Sequence, residues 1–272
     1  LKQYDKPTVF FVDMPDMAQS IVYAYIKGDP VDDKTSRHAS RLFSVYFGGD
    51  MSSLMFQEIR EFRSFAYRTS GRYQLPNHAH KGTAGSFTAM LSTQSDKTLD
   101  ALSVLDSLIR EMPLKPERVE AVKQTLVNRI NNDYPPFRNL SEKVASARME
   151  GFDHDPAEEF LRDIATMDMQ DIIRFYREQI CGRPVVYVIA GNRKRIDMKK
   201  LAEYGTIVKV KKKEIYSNPK KKKDLPCYGR SLSITDRSVY RFIYTLISAV
   251  TPSSSLCASS TGRTTSRRNT ST

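Results

Sequence analysis

"GGDMSSLMFQEIREFRSFAY" occupies residues 48–67, and this stretch decides how the rest of the chain can be interpreted. Its two leading glycines predict the end of one helix, because glycine readily adopts the left-handed conformation that closes a helix. Asp50, Ser52 or Ser53 can then cap a second helix through a side-chain oxygen. The stretch therefore predicts a helix end, a helix start and a following strand.

Apolar residues recur at helical spacing after the two glycines. They are Met51, Met55, Ile59 and Phe62. A stripe of this period typically faces the core of a globular protein. We therefore expect Arg60 and Glu61, just off the stripe, to lie at the rim of the buried face.

A family resemblance is carried by four features of the same stretch. They are the Gly-Gly pair, the Ser-Ser pair at 52 and 53, the dipeptide Arg60-Glu61, and an aromatic residue two positions before Tyr67. Together they resemble the insulinase/pitrilysin family of zinc metallopeptidases. In that family two similar lobes close like a clamshell, and only one carries an inverted H-x-x-E-H zinc motif. This chain resembles the zinc-free, C-terminal-type lobe.

The resemblance implies roles for two residues. The zinc-free lobe of that family contributes an Arg and, seven residues later, a Tyr, which grip substrate near the metal; Arg60 and Tyr67 match this pair and its spacing. It implies that both residues bind substrate and that Tyr67 is also catalytic. The chemistry is suitable, because a guanidinium donates a planar fork of hydrogen bonds to carbonyl oxygens and a phenol can donate one to a developing oxyanion.

The chain departs from the family pattern at two positions. Leu54 stands where the family often has Arg, and Ser64 stands where it usually has Gly before the aromatic residue. A purely structural interpretation of the pair also exists: a surface Arg60 paired with Glu58 or Glu61, and a strand tyrosine packed by its ring. The resemblance favours the functional interpretation.

The sequence predicts no metal site in this chain. Its four histidines, at 38, 78, 80 and 154, form no H-x-x-E-H pattern. His78 and His80 could form an i, i+2 pair on a strand, but an exposed loop is the better interpretation. No G-x-S-x-G, P-loop or G-x-G-x-x-G motif is present. We therefore expect no cofactor here, zinc in the partner lobe of the full enzyme, and no activity of the chain alone.

The order of periodic segments predicts an α+β fold, with a largely antiparallel sheet and helices packed on it. Strands are predicted at 8–12, 19–26, 65–73, 86–91, 185–189 and 206–210, and the first two are expected to form a hairpin or adjacent strands. Helices are predicted at 34–47, 99–112, 116–130, 140–149, 156–164, 169–180 and 197–204.

The charge of the chain is unevenly distributed. Of the net +12, residues 218–272 hold 10 Lys and Arg against 2 Asp and Glu. We expect residues 1–217 to form the peptidase-like lobe and residues 218–272 to be a basic, Ser/Thr-rich tail, disordered or foreign to the fold. The lysines at 209, 211–213 and 220–223 lack interleaved aromatic residues, so a solvated edge and tail are favoured over a nucleic-acid site. No apolar run is long enough to predict a membrane span.

The sequence thus predicts a substrate-binding, non-metal-binding lobe of a zinc metalloendopeptidase that hydrolyses peptides. Its partner would be a zinc-bearing lobe, in the same chain or another subunit. Two alternatives remain open: an inactive structural or assembly lobe of the same family, and a basic nucleic-acid-binding module. The chain begins at Leu1 without an initiator Met or signal peptide. This predicts a fragment and leaves both a periplasmic and a cytoplasmic location open.

Overall fold

A computed structural model describes residues 1–211. The strands are β1 (Thr8–Asp13), β2 (Gln19–Pro30), β3 (Ala66–Gln74), β4 (Ala84–Gln94), β5 (Val186–Gly191) and β6 (Thr206–Val210). The α-helices are α1 (Lys34–Ser44), α2 (Thr98–Arg110), α3 (Val119–Asn132), α4 (Leu140–Met149), α5 (Pro156–Thr166), α6 (Met169–Gln179) and α7 (Met198–Leu201). Two wider helical turns, π1 (Val45–Gly49) and π2 (Phe56–Glu61), lie between α1 and β3.

The strands of the described residues form one sheet in the order β3-β4-β2-β5-β1-β6. Three neighbouring pairs are antiparallel, and the pairs of β1 with β5 and with β6 are parallel. The prediction of an α+β fold with a largely antiparallel sheet is confirmed.

The predicted adjacency of β1 and β2 is wrong, because β5 lies between them. This strand pairs in parallel with β1 and antiparallel with β2. It is a nearly continuous apolar run, and most of its residues are buried. A strand of this composition belongs inside a sheet, where it separates two strands that are neighbours in sequence.

One face of the sheet packs against the helices to form the core. Val22, Ala24 and Ile26 alternate along β2 and are buried in the same cluster as Leu102 and Leu105 of α2. The apolar residues at every second position of the strand and at every third or fourth position of the helix therefore pack in one core. The predicted helices are present, with boundaries that differ by a few residues.

The predicted division of the chain at residue 217 lies outside the described residues, as do the lysines at 212, 213 and 220–223. The division stays a prediction. Among residues 1–211, no helix is both long and apolar enough to cross a membrane.

Candidate functional site

The site begins where π1 crosses β3 at very short range. Gly48 forms an isolated antiparallel bridge with Gly71. A Cβ atom on Gly48 would lie 2.2 Å from the Gly71 nitrogen, and one on Gly71 would lie 2.8 Å from Sδ of Met55. The φ of Gly48 is −156°, and Gly49 is not among the glycines with positive φ. The predicted left-handed turn is therefore wrong here, and close backbone approach is what requires glycine at position 48.

Side-chain caps hold the turn after π1. Asp50 Oδ1 accepts hydrogen bonds from Ser52 N at 2.8 Å and from Ser52 Oγ at 2.7 Å. Ser53 Oγ donates to the Asp50 carbonyl at 2.6 Å and accepts from Phe56 N at 3.4 Å. The predicted capping by this Asp/Ser group is confirmed, and it fixes the start of the helical segment that carries Arg60.

Two arginines from outside this segment hold the same turn. Arg118 Nη1 donates to the Ser52 carbonyl at 3.0 Å, and Arg129 Nη2 donates to the Gly49 carbonyl at 2.7 Å. These contacts join positions at least 66 residues apart in the chain. No sequence motif indicated them, because the packing of α3 against π1 is what brings the arginines to the turn.

The buried stripe of this segment differs from the predicted one. Met55 and Ile59 are fully buried as expected, but Met51 is 74% exposed and Phe62 is 64% exposed. Met51 lies in the turn before the helical residues begin. At the other end, Phe62 N donates to the Gln57 carbonyl five residues earlier, at 2.9 Å. Such a π turn is wider than an α turn, so it rotates the last residues away from the face that α-helical spacing predicts.

The structure places Arg60 and Tyr67 side by side on the surface. The guanidinium carbon of Arg60 lies 5.5 Å from the ring centroid of Tyr67 and 4.6 Å from that of Phe56. The Arg60 side chain is 41% exposed, and Tyr67 is 74% exposed. Among the described residues, Glu61 is the one acidic partner of Arg60, with 3.8 Å between Nε and Oε1. The face of the guanidinium is thus occupied by rings, while its N–H groups donate to none of the described residues.

Glu58, the other acidic residue considered as a partner for Arg60, is engaged elsewhere. Its carboxylate accepts hydrogen bonds from Arg63 Nη1 at 2.8 Å and from Lys115 Nζ at 2.9 Å. Burial opposes ionisation of Glu58, but these two bonds outweigh it and lower the pKa of the carboxyl group below its ordinary value. Two cations therefore satisfy Glu58, and Arg60 is not among them.

Backbone geometry directs Tyr67 towards Arg60. Ser64 has φ of 52° and is the one non-glycine residue with positive φ among residues 1–211. Its N–H donates to the Arg60 carbonyl at 2.9 Å, which closes the helical segment. Ser64 is the position where the family usually has glycine, and the left-handed conformation gives a physical reason for that preference.

A β-bulge then places Tyr67 at the start of β3. Ala66 pairs with Thr93 and Arg68 pairs with Ser92, so Tyr67 is the extra residue between them. A bulge changes the direction of a side chain relative to the regular strand alternation. The bulge leaves the Tyr67 ring exposed beside Arg60. The sequence does not indicate the bulge, because one inserted residue is not recognisable in the alternating pattern of a strand. The other departure from the family pattern, Leu54, is fully buried.

His38 and His78 contact residues other than Arg60 and Tyr67. His38 Nδ1 is 2.9 Å from Asp163 Oδ2, and burial lowers the pKa of His38 although Asp163 opposes the shift. His78 stacks on the ring of Phe152 at 4.5 Å between centroids. Within residues 1–211, no group of three or more His, Cys, Asp or Glu side chains could hold a metal ion. The described residues therefore do not fit a zinc site.

Comparison with known proteins identifies the fold. Residues 1–126 match the family model described as the peptidase M16 inactive domain. Curated protein sequences include none with significant similarity to this chain. Among solved structures, similar folds occur in the peptidase M16 inactive domain from Pseudomonas fluorescens (TM-score 0.58, 16% identity, 71% of this chain and 46% of that chain) and in the periplasmic protease PqqL from Escherichia coli (TM-score 0.55, 14% identity, 70% and 21%).

A chain of Complex III2 from Candida albicans also shares the fold, with a TM-score of 0.53, 11% identity and coverage of 74% of this chain and 50% of that chain. The present chain thus spans half or less of each of these solved chains. The resemblance to the zinc-free lobe of the insulinase/pitrilysin-like metallopeptidases is confirmed to this extent: residues 1–126 match the peptidase M16 inactive domain, and the chain shares the fold of a solved domain of that type.

Proposed function

We propose that this chain is the substrate-binding, non-metal-binding lobe of a zinc metalloendopeptidase, and that it completes the active site together with a separate zinc-bearing lobe. The observation that supports this most is the state of Arg60. Its guanidinium lies against Tyr67 with its N–H groups not used by the described residues. A surface arginine that serves only stability would be expected to donate to a carboxylate or carbonyl, as Arg63 does.

Each of the two side chains has a distinct task in this proposal. Arg60 donates a planar pair of hydrogen bonds to backbone carbonyl oxygens of a peptide and fixes its position. Tyr67 donates its hydroxyl proton in a hydrogen bond to the carbonyl oxygen that gains negative charge during hydrolysis, which stabilises the transition state more than the ground state. In this proposal the zinc-bearing lobe activates the attacking water, because among residues 1–211 no group of His, Cys, Asp or Glu could hold the metal.

Reconstitution tests the proposal. The chain is mixed with the M16 lobe of the same source that carries an H-x-x-E-H motif, and hydrolysis of an internally quenched peptide library is followed. We expect turnover from the mixture and none from either lobe alone. Hydrolysis by the zinc-bearing lobe alone, unchanged on adding this chain, would contradict the proposal.

A second candidate is an inactive structural or assembly lobe. The fold shared with a chain of Complex III2 favours it, since that chain belongs to a multi-subunit complex. The two candidates differ in what Arg60 and Tyr67 do. If this chain serves assembly alone, it should still bind the zinc-bearing lobe, and substitutions at Arg60 and Tyr67 should leave any peptide hydrolysis unchanged.

A further inference from the structure

Of the two aromatic rings beside the guanidinium of Arg60, that of Phe56 is the nearer. The distance from the guanidinium carbon to the Phe56 ring centroid is 4.6 Å, against 5.5 Å to the Tyr67 ring. A cation above an aromatic face is attracted by the ring quadrupole at this range. The ring has no hydrogen-bond acceptor, so it attracts the cation without using any of its N–H groups.

The alternative restraints on Arg60 are weak. The ion pair with Glu61 is 3.8 Å long and joins two exposed side chains, an arrangement that contributes little. Glu58 is occupied by Arg63 and Lys115. Among the described residues, the aromatic contacts are therefore the main restraints on the orientation of the Arg60 side chain.

The helical geometry brings Phe56 under Arg60. The two residues are four apart in π2, a spacing that places side chains on the same face of a helical segment. The backbone on both sides of Phe56 is fixed, because Met55 and Ile59 are fully buried and Ser53 Oγ caps the Phe56 N–H. The Phe56 ring therefore has a fixed position, and the long Arg60 side chain packs against it.

We propose that Phe56 is the positioning residue for Arg60: its ring orients the guanidinium so that the N–H fork faces outward, ready for a peptide carbonyl pair. The geometric part of this inference stands alone, and the peptide-binding part rests on the proposed function. An arginine that is ordered before binding loses less side-chain entropy when it forms hydrogen bonds. Phe56 would thus raise affinity without touching the substrate.

The first test measures the geometry in the full chain without substrate. The NMR signals of the Arg60 side chain, Hε and the Hδ protons, should be shifted upfield by ring currents. Phe56→Leu should move them towards ordinary arginine values, and Phe56→Tyr should retain the shift. Phe62→Leu, which replaces an exposed aromatic residue at the end of the same segment, is the matched control and should change nothing. Unshifted signals in the wild type, or signals unaffected by Phe56→Leu, would overturn the inference.

The second test is a double-substitution cycle in the reconstituted two-lobe protein with the quenched peptide library. Phe56→Leu should raise KM about five- to tenfold with a smaller change in kcat, and Phe56→Tyr should restore it. On an Arg60→Lys background the same substitution should have little further effect, because the group that it orients is already altered. Fully additive effects would overturn the positioning role. If Arg60→Lys itself changes nothing, the proposed function fails, while the NMR result still decides the geometry.

Discussion

Two arginines near the end of π2 are equally exposed but have different partners: Arg60 lies within π2, and Arg63 lies two residues after its end. Arg60 and Arg63 side chains are both 41% exposed. Arg63 donates to the Glu58 carbonyl and carboxylate at 2.7 and 2.8 Å, in a cluster completed by Lys115. Arg60 instead lies over two rings and donates to none of the described residues. Exposure alone thus does not distinguish these two arginines; the use of their N–H groups does.

The comparison of Arg60 with Arg63 predicts that the largest loss of activity should follow a substitution beside Arg60, at Tyr67. In the reconstituted two-lobe protein, Tyr67→Phe should lower kcat on the order of 10²-fold, because it removes one donor to the oxyanion while keeping the ring that Arg60 contacts. The melting temperature should stay the same, since the ring is exposed. Peptide kinetics and thermal melting check both. Tyr134→Phe, an equally conservative change at another exposed tyrosine, is the control, and an equal loss in both variants would contradict the role of Tyr67.

Exchanging arginine for lysine at each of these two positions tests the comparison directly. Arg60→Lys should lower kcat/KM about tenfold although charge is retained, because an ammonium cannot donate a planar fork. Arg63→Lys should leave kcat/KM within about twofold and reduce stability slightly, since an exposed ion pair contributes about 0–1 kcal/mol. Steady-state kinetics and denaturant melts separate these effects. If the two variants behave alike, the distinction drawn between the arginines is wrong.

The sequence predicted the features of this site that depend on local pattern. The spacing of Arg60 and Tyr67, the Asp/Ser caps and the burial of Met55 and Ile59 all follow from residues close in the chain. The order of helices and strands followed from periodicity for the same reason.

Features that depend on distant contacts were not predictable in this way. The insertion of β5 between β1 and β2 is decided by pairing across more than 150 residues. The hydrogen bonds that Arg118 and Arg129 donate to the turn after π1 likewise join residues that are distant in the chain. The π turn and the bulge at Tyr67 each add one residue to a regular pattern, so periodic spacing predicts the wrong side chains at their ends.

The cluster of Glu58, Arg63 and Lys115 should contribute to the response of stability to acid. The pKa of Glu58 is lowered in the folded protein, so the stabilisation from its ionised form is present above the ordinary Glu pKa and is lost as the pH falls through the lowered value. We expect Glu58→Gln to cost about 1–2 kcal/mol near pH 7, because it weakens two charge-assisted hydrogen bonds. Its stability relative to wild type should recover below about pH 4.

Urea melts of both proteins between pH 3 and pH 7 measure this difference. Glu142→Gln, at an exposed position in α4, is the control and should follow the wild-type curve. If the difference in the free energy of unfolding between Glu58→Gln and wild type stays constant with pH, the effect depends on the shape of the side chain and not on its charge.

The smallest expected effect concerns Ser64, which lies between π2 and β3. A left-handed φ of 52° costs a residue with a Cβ about 1–2 kcal/mol relative to glycine. Glycine loses more backbone entropy on folding, by about 0.5–1 kcal/mol, so the net gain from Ser64→Gly should be about 0–1.5 kcal/mol. Because the backbone path is unchanged, Arg60 and Tyr67 keep their places, and kcat/KM in the two-lobe protein should stay the same. Ser146→Gly, in the middle of α4, should instead lose about 0.5 kcal/mol, since glycine has a lower helix propensity than serine and no left-handed conformation exists there to relieve. Equal destabilisation of both variants in urea melts would mean that Ser64 carries no strain, and that the serine at this family glycine position is conformationally neutral.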